Sequence, residues 1–209
     1  MARQIWIPRA ATFGAILLLA SVQSPHAATP RGVTVGAQKF EFASPLSAQV
    51  ELSVPSGWRA VKDFYGIPVT LLGPEPANMR KDPSSRRAVL QIIPAPRNAR
   101  VPASDPAKIS AKQLQAAGTS FAAGKKKWFY KMGIQKYQFR PTTTLKVSPA
   151  LTLLKTSVDY QVGGRMLIEN NFYGKIGSRF VQIKSVVPES ENNQRHPEIQ
   201  RVIASLRLK

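Results

Sequence analysis

From residue 150 onward the chain alternates. Over Thr152 to Val162, Leu154, Val158, Tyr160 and Val162 hold one parity, and Lys155, Ser157, Asp159 and Gln161 hold the other. Period two is the signature of a strand with one buried face, because successive side chains leave opposite sides of the pleat. Thr152 and Thr156 share the apolar parity, so that face is not purely hydrophobic. Gly163-Gly164 supplies a two-residue turn with freedom for positive φ, the usual hairpin connection. Counting back from it pairs Val162 with Arg165, Tyr160 with Leu167 and Asp159 with Ile168. Met166, Ile168 and Phe172 mark the next strand, and Gly174-Lys175-Ile176-Gly177 turns the chain again. Val181, Ile183 and Val187 mark a third strand, ended by Pro188, which has no N–H to give to a ladder. Ile199, Val202, Ile203 and Leu206 then fall at i, i+3, i+4 and i+7, an amphipathic helix seeded by Pro197 in its first turn.

Upstream, Val50, Leu52 and Val54 alternate with Gln49, Glu51 and Ser53, and Pro55-Ser56-Gly57 turns that strand into a short one over Trp58 to Lys62. Asp63-Phe64-Tyr65-Gly66 is a turn, Val69 to Leu72 a strand, and Gly73 to Arg87 a polar, proline-rich loop. Ala88 to Ile93 is nearly all apolar, as a central strand buried on both faces must be. Four prolines between Pro94 and Pro106 forbid regular structure. Asp105 and Pro106 supply a cap and first residue for a helix whose apolar side is Ile109, Leu114, Ala117 and Phe121. This helix is expected to fray near Gly124, where three lysines complement the macrodipole. Tyr137 and Phe139 open another strand, expected to break at Pro141. No repeat or long linker divides the chain. The pattern predicts one α+β domain over residues 48–209, a mainly antiparallel twisted sheet with two principal helices.

The N-terminus changes what counts as the mature protein. Arg3 and Arg9 precede an apolar run from Ala10 to Val22, and small residues follow at Ala27 and Ala28. A run of about 13 residues is short of the ~20 that span a bilayer, and the arrangement is that of a secretory signal peptide over residues 1–28. Residues 29–47, with Phe40 and Phe42, read as an extended leader. The expected address is the periplasm or the exterior of a bacterium, with no transmembrane segment in the mature chain. Cleavage would remove Arg3 and Arg9 and no acid, taking 30 basic and 11 acidic residues to 28 and 11, a net +17. With no cysteine, no disulfide constrains the unfolded chain. A large positive charge attracts anionic surfaces in a salt-dependent way: phospholipid head groups, lipopolysaccharide, wall polymers. A lineage whose exported proteins are generally basic would give the same composition.

The order of parts carries a resemblance. A strand runs into Val54-Pro55-Ser56-Gly57-Trp58, a middle helix follows, then a three-strand meander, then a last helix ending Ile203-Ala204-Ser205-Leu206. Over about Val50 to Leu208 this resembles the PsbP-like α/β/α sandwich family, which includes an extrinsic photosystem subunit, a Ran-binding import factor and exported bacterial proteins. The resemblance implies a binding or accessory role without catalytic residues and transfers no site.

The chemistry inventory points the same way. The mature chain holds one histidine, His196, in a polar stretch where it reads as solvated or capping. Thiolate chemistry and a histidine-rich metal site are excluded, no Gly-x-Ser-x-Gly occurs, and the glycine pairs are hairpin turns rather than phosphate loops. No cofactor, no metal and no specific nucleic acid are expected. Asp159 and Glu169 lie on neighbouring strands and are the pair a hydrolase would use, but as diagonal neighbours they are expected on a solvated face. Two basic segments stand out. Lys125, Lys126, Lys127 and Lys131 surround Trp128-Phe129-Tyr130, lysines expected at the surface and aromatics suited either to a membrane interface or to the core. Arg80, Lys81, Arg86 and Arg87 flank Pro83 in a polar loop. The sequence thus favours a non-enzymatic exported accessory protein engaging an anionic envelope component or an envelope protein through basic loops. The alternatives are a structural subunit of an envelope complex with incidental charge, and a hydrolase built on Asp159 and Glu169.

Overall fold

The computed structural model describes residues 37–41, 49–64, 67–75, 87–95, 105–177 and 179–208. The expected signal peptide, Arg80, Lys81 and Arg86 lie outside them. A seven-stranded antiparallel sheet is built from β3 (Arg59–Phe64), β4 (Ile67–Leu72), β5 (Val89–Pro94), β6 (Tyr137–Ser148), β7 (Leu151–Val162), β8 (Arg165–Ile176) and β9 (Arg179–Pro188), in the order β3-β4-β5-β9-β8-β7-β6. A smaller sheet joins β1 (Ala37–Glu41), β2 (Gln49–Ser53) and β10 (Arg207–Leu208) in the order β1-β2-β10. Part of the expected leader is thus a paired strand.

Two helices cover opposite faces of the large sheet. On one side, α2 (Asn192–Ser205) and the small sheet pack Val50, Leu52, Ile199, Val202, Ile203 and Leu206 against Leu90, Ile92, Leu153, Phe172, Ile183 and Val187. On the other, α1 (Ala111–Lys131) sets Phe121 and Phe129 on Val158, Tyr160, Leu167 and Val186, and Ala117 on Leu154 and Tyr173. The fold is the α+β arrangement the alternation predicted, a mainly antiparallel sheet with two principal helices. Trp58, fully buried, closes the α2 side by donating its indole N–H to Glu198 Oε2 at 2.8 Å.

The meander follows its sequence closely. Gly163 and Gly164 take φ of 57° and 79°, and the register pairs Val162 with Arg165, Tyr160 with Leu167 and Asp159 with Ile168. Four boundaries differ from the sequence reading. Asp105 caps only a short 3-10 turn over Pro106–Lys108. The long helix is capped instead by Ser110, whose hydroxyl accepts from Gln113 N–H while Gln113 Oε1 accepts from Ser110 N–H at 2.8 Å. It runs past Gly124 to Lys131, stopping where Gly133 takes φ 66° and Ile134 N–H reaches back to Phe129 O at 2.9 Å. Helix α2 starts five residues before Pro197, which lies inside it. Strand β6 does not break at Pro141 but passes it with register shifts between Arg140 and Thr143 and between Lys146 and Ser148. Proline is tolerated there because β6 is an edge strand with one hydrogen-bonding side free.

Replacing the cap should weaken α1 without altering the fold. Ser110→Ala is expected to lower stability by about 1 kcal/mol. This would be read as a lower urea midpoint at unchanged denaturant slope.

Candidate functional site

Helix α1 divides the lysine-rich segment between inside and outside. Its buried residues are Ala117, Phe121, Lys125 and Phe129, one every fourth position and therefore one face. Lys125 occupies the place of a core residue, 7% exposed, correcting the expectation that all four lysines are surface groups. Its ammonium donates to Glu169 Oε2 at 2.8 Å and lies 4.2 Å from the Trp128 ring centroid, 5.3 Å from Phe129 and 5.7 Å from Tyr160. Trp128 is half-buried on the same side, edge-on to Tyr160, while Phe129 stacks on Tyr137 at 4.7 Å. Two of the three consecutive aromatics are therefore packing groups that seat the end of α1 on β6 and β7.

Glu169 is also not where the alternation put it. Because both faces of the sheet are covered, the parity opposite Ile168 and Phe172 is interior too, and Glu169 is 1% exposed. Its carboxylate accepts from Lys125 and from Asn171 Nδ2 at 2.9 Å, with Lys184 Nζ at 3.6 Å. Burial pushes this carboxyl up, but the Lys184 and Lys125 ammoniums and the two hydrogen bonds outweigh it and hold it at about 2. Burial pulls Lys125 down despite Glu169, and the Lys184 charge adds to the effect.

Asp159 lies on the other face. It pairs across the ladder with Ile168 while Glu169 pairs with Val158, so the two carboxylates leave the sheet in opposite directions. Arg140 clamps Asp159 through Nε at 2.9 Å and Nη2 at 2.7 Å. A glycosidase needs both carboxyl groups on one scissile bond, and these two do not share a cleft. His196 is half-buried inside α2, its Nε2 3.1 Å from Gln200 Nε2, and burial together with Lys155 lowers its pKa.

What remains outside is a compact surface. Lys126, Lys127, Tyr130 and Lys131, at i, i+1, i+4 and i+5, share the solvent face of the last turns of α1. Tyr130 is 89% exposed. Helix α1 contains no acidic residue, so nothing on it offsets these charges. Exposed Lys136 continues the surface beyond the helix, its carbonyl accepting from Gln161 N–H beside the Gly163-Gly164 hairpin. Tyr130 belongs to the sequence motif, yet only the direction of the helix shows that it, and not Trp128, accompanies the exposed lysines. Of the second basic segment, Arg87 is described: it pairs with Glu75 at 3.4 Å just before β5, and β9 and β8 separate β5 from β7. Among the described residues no helix is long and apolar enough to cross a membrane.

No protein-family model matches the sequence, and no curated protein matches it significantly. Solved structures do resemble it. LpqN of Mycobacterium tuberculosis, described as involved in cell envelope biogenesis, is 16% identical, with 83% of this chain and 91% of that one covered at a TM-score of 0.47. Cyanobacterial PsbP from Synechocystis is 11% identical, with 88% and 98% covered at a TM-score of 0.48. The Saccharomyces cerevisiae Ran-binding protein Mog1p is 11% identical, with 83% and 95% covered at a TM-score of 0.43. The PsbP-like resemblance read from the sequence is thus met again among solved structures, as a likeness of fold.

Two outcomes follow from the buried carboxylate. With a folded pKa of about 2 against 4.5 unfolded, the unfolded chain binds a proton in this window that the folded chain refuses. Stability from this group is therefore complete above about pH 4.5 and falls as pH drops toward 2, by on the order of 3 kcal/mol. Urea titrations at closely spaced pH values would measure the slope. Glu169→Gln should remove that component and, at neutral pH, cost roughly 3–5 kcal/mol by leaving Lys125 buried without its partner. An unchanged denaturation midpoint would contradict this.

Proposed function

We propose that this chain is a non-enzymatic, exported binding protein of the bacterial envelope. It docks on an anionic envelope component through the lysine–tyrosine surface at the C-terminal end of α1. One observation carries the reading: the most exposed large hydrophobic side chain among the described residues, Tyr130, stands among Lys126, Lys127 and Lys131 on a helix without acid. A tyrosine so placed costs the monomer hydrophobic burial, and suits a surface whose outer layer is charged and whose inner layer is apolar. The signal-peptide pattern and the strongly basic composition support the address and the sign of the partner. Asp159 and Glu169 leave the sheet on opposite faces, which supports a reading without acid–base catalysis by that pair.

Each lysine near an anionic lipid surface contributes about 1 kcal/mol, so replacing Lys126, Lys127 and Lys131 by alanine together should weaken binding by roughly 100-fold. The measurement is co-sedimentation of the protein with vesicles of anionic or neutral lipid, with lipopolysaccharide, and with wall fragments, each at low and high salt. Binding to at least one anionic target that weakens at high salt is expected. Tyr130→Ala should reduce binding less than the lysine variant and leave its salt dependence unchanged. Absence of binding to every target at low salt, or a lysine variant that binds like the native protein, overturns the reading.

A further inference from the structure

The register of the large sheet aligns a line of polar side chains on the sheet face that α1 packs against. Thr70 of β4 pairs with Gln91 of β5, Gln91 with Lys184 of β9, Lys184 with Asn171 of β8, and Asn171 with Thr156 of β7. Directly paired residues project to the same side, so these five form one row across five strands, about 19 Å long at the usual strand spacing. Thr70 is 0% exposed, Thr156 1%, Asn171 2% and Gln91 8%. The neighbouring rows add Glu169 on one side, and Gln182 and Tyr173 on the other.

Nothing about folding requires this row. Strands buried on both faces are ordinarily near-continuous hydrophobic runs, and a buried polar group costs stability unless it is hydrogen-bonded. One member is satisfied: Asn171 Oδ1 accepts from Gln182 Nε2 at 3.3 Å. Among the described residues, Thr70 Oγ1 and Thr156 Oγ1 have no hydrogen-bond partner. Among the described residues the charges do not balance either. Lys125 and Lys184 converge on the single carboxylate of Glu169, which Lys125 and Asn171 already hydrogen-bond, and Lys184 stands off at 3.6 Å. One ammonium, on a side chain 14% exposed, is left in excess in a largely dry setting. Access lies at β5 and β9, where Val89, Ile93, Gln182 and Lys184, all on this face, are half-buried rather than covered.

We propose that this row is the floor of a ligand site. It takes one oxyanion group, carboxylate or phosphate, of a small hydroxyl-bearing molecule. Lys184 is the counter-ion, the Lys125–Glu169 pair is the fixed wall that holds Lys184 in place, and Gln91, Gln182 and Thr70 hydrogen-bond the rest of the ligand. An oxyanion there neutralises the surplus charge, and hydroxyls satisfy amides and a threonine that water reaches poorly. This site lies on the sheet face that α1 packs against and is independent of the lysine–tyrosine surface on the outer side of that helix.

The test uses the full mature chain and follows its thermal midpoint in sodium chloride, phosphate, acetate, glucuronate and glucose at constant ionic strength. Glucuronate should raise the midpoint saturably and at lower concentration than acetate, with glucose inert. A comparable saturable rise with phosphate but not with glucuronate assigns a phosphoryl group and likewise sustains the site. Lys184→Met should weaken the effect at least tenfold, whereas Lys112→Met, at the exposed start of α1, should leave it intact. If Lys184→Met does not fold, Thr70→Val, which keeps the shape and removes the hydroxyl, should weaken glucuronate severalfold and leave acetate unaffected. The proposal is overturned if no oxyanion acts beyond chloride, if glucose acts as well as glucuronate, or if the folded Lys184→Met or Thr70→Val protein responds like the native one.

Discussion

The contact on which the rest of the molecule turns is the buried ion pair between Lys125 and Glu169. A helix lying on a sheet through aromatics and alanines alone has several rotations of similar energy, because hydrophobic contact is non-directional. A charge pair in a dry environment does not, since a small rotation leaves an ammonium facing hydrocarbon. With Lys125 held at 2.8 Å from Glu169, Phe121 and Phe129 must face the sheet, and Lys126, Lys127, Tyr130 and Lys131 must face water. One interior contact thereby sets the composition of an exterior surface 10–12 Å away across the helix diameter.

Much of the framework was legible because local rules and tertiary demands agreed there. In the meander, Gly163-Gly164 dictated a tight turn, the turn dictated the register, and Pro188 dictated the end, so the pairings of Tyr160 and Asp159 followed from counting. Boundaries failed where two local signals competed. The lysines at 125–127 look like a helix end, and only the four-residue spacing of Ala117, Phe121 and Phe129 shows that the helix continues with Lys125 on its inner side. Gly133 was the true stop signal, eclipsed by Gly124. Pro197 resembles a first-turn residue but sits inside α2, behind the 3-10 turn Glu189–Glu191.

The site was legible in outline and misassigned in detail for a related reason. A strand pattern tells which residues alternate and not whether the second face is covered. Glu169 and Thr156 were read against a solvated outer face or an imperfect core, and a second helix layer makes both interior. The blemish that Thr156 makes in the apolar parity of β7 was the one sequence sign of a polar row. Its other members are scattered from residue 70 to residue 184, and only strand order assembles them. The lysine–aromatic motif was visible at once; the choice of Tyr130 over Trp128 as its exposed ring required the helix.

The edge strand β6 bears on what happens when many copies meet. Twelve residues long and largely exposed, it offers the row of unpaired backbone groups on which cross-β stacking begins. Pro141 removes a donor from that row, and the two register shifts twist the strand out of the flat geometry that a second strand would need. Exposed Lys146 adds like charge to every approaching copy. A basic protein gathered on an oppositely charged surface reaches high local concentration with its self-repulsion screened. A broken edge disfavours fibril nucleation wherever copies are brought to high local concentration.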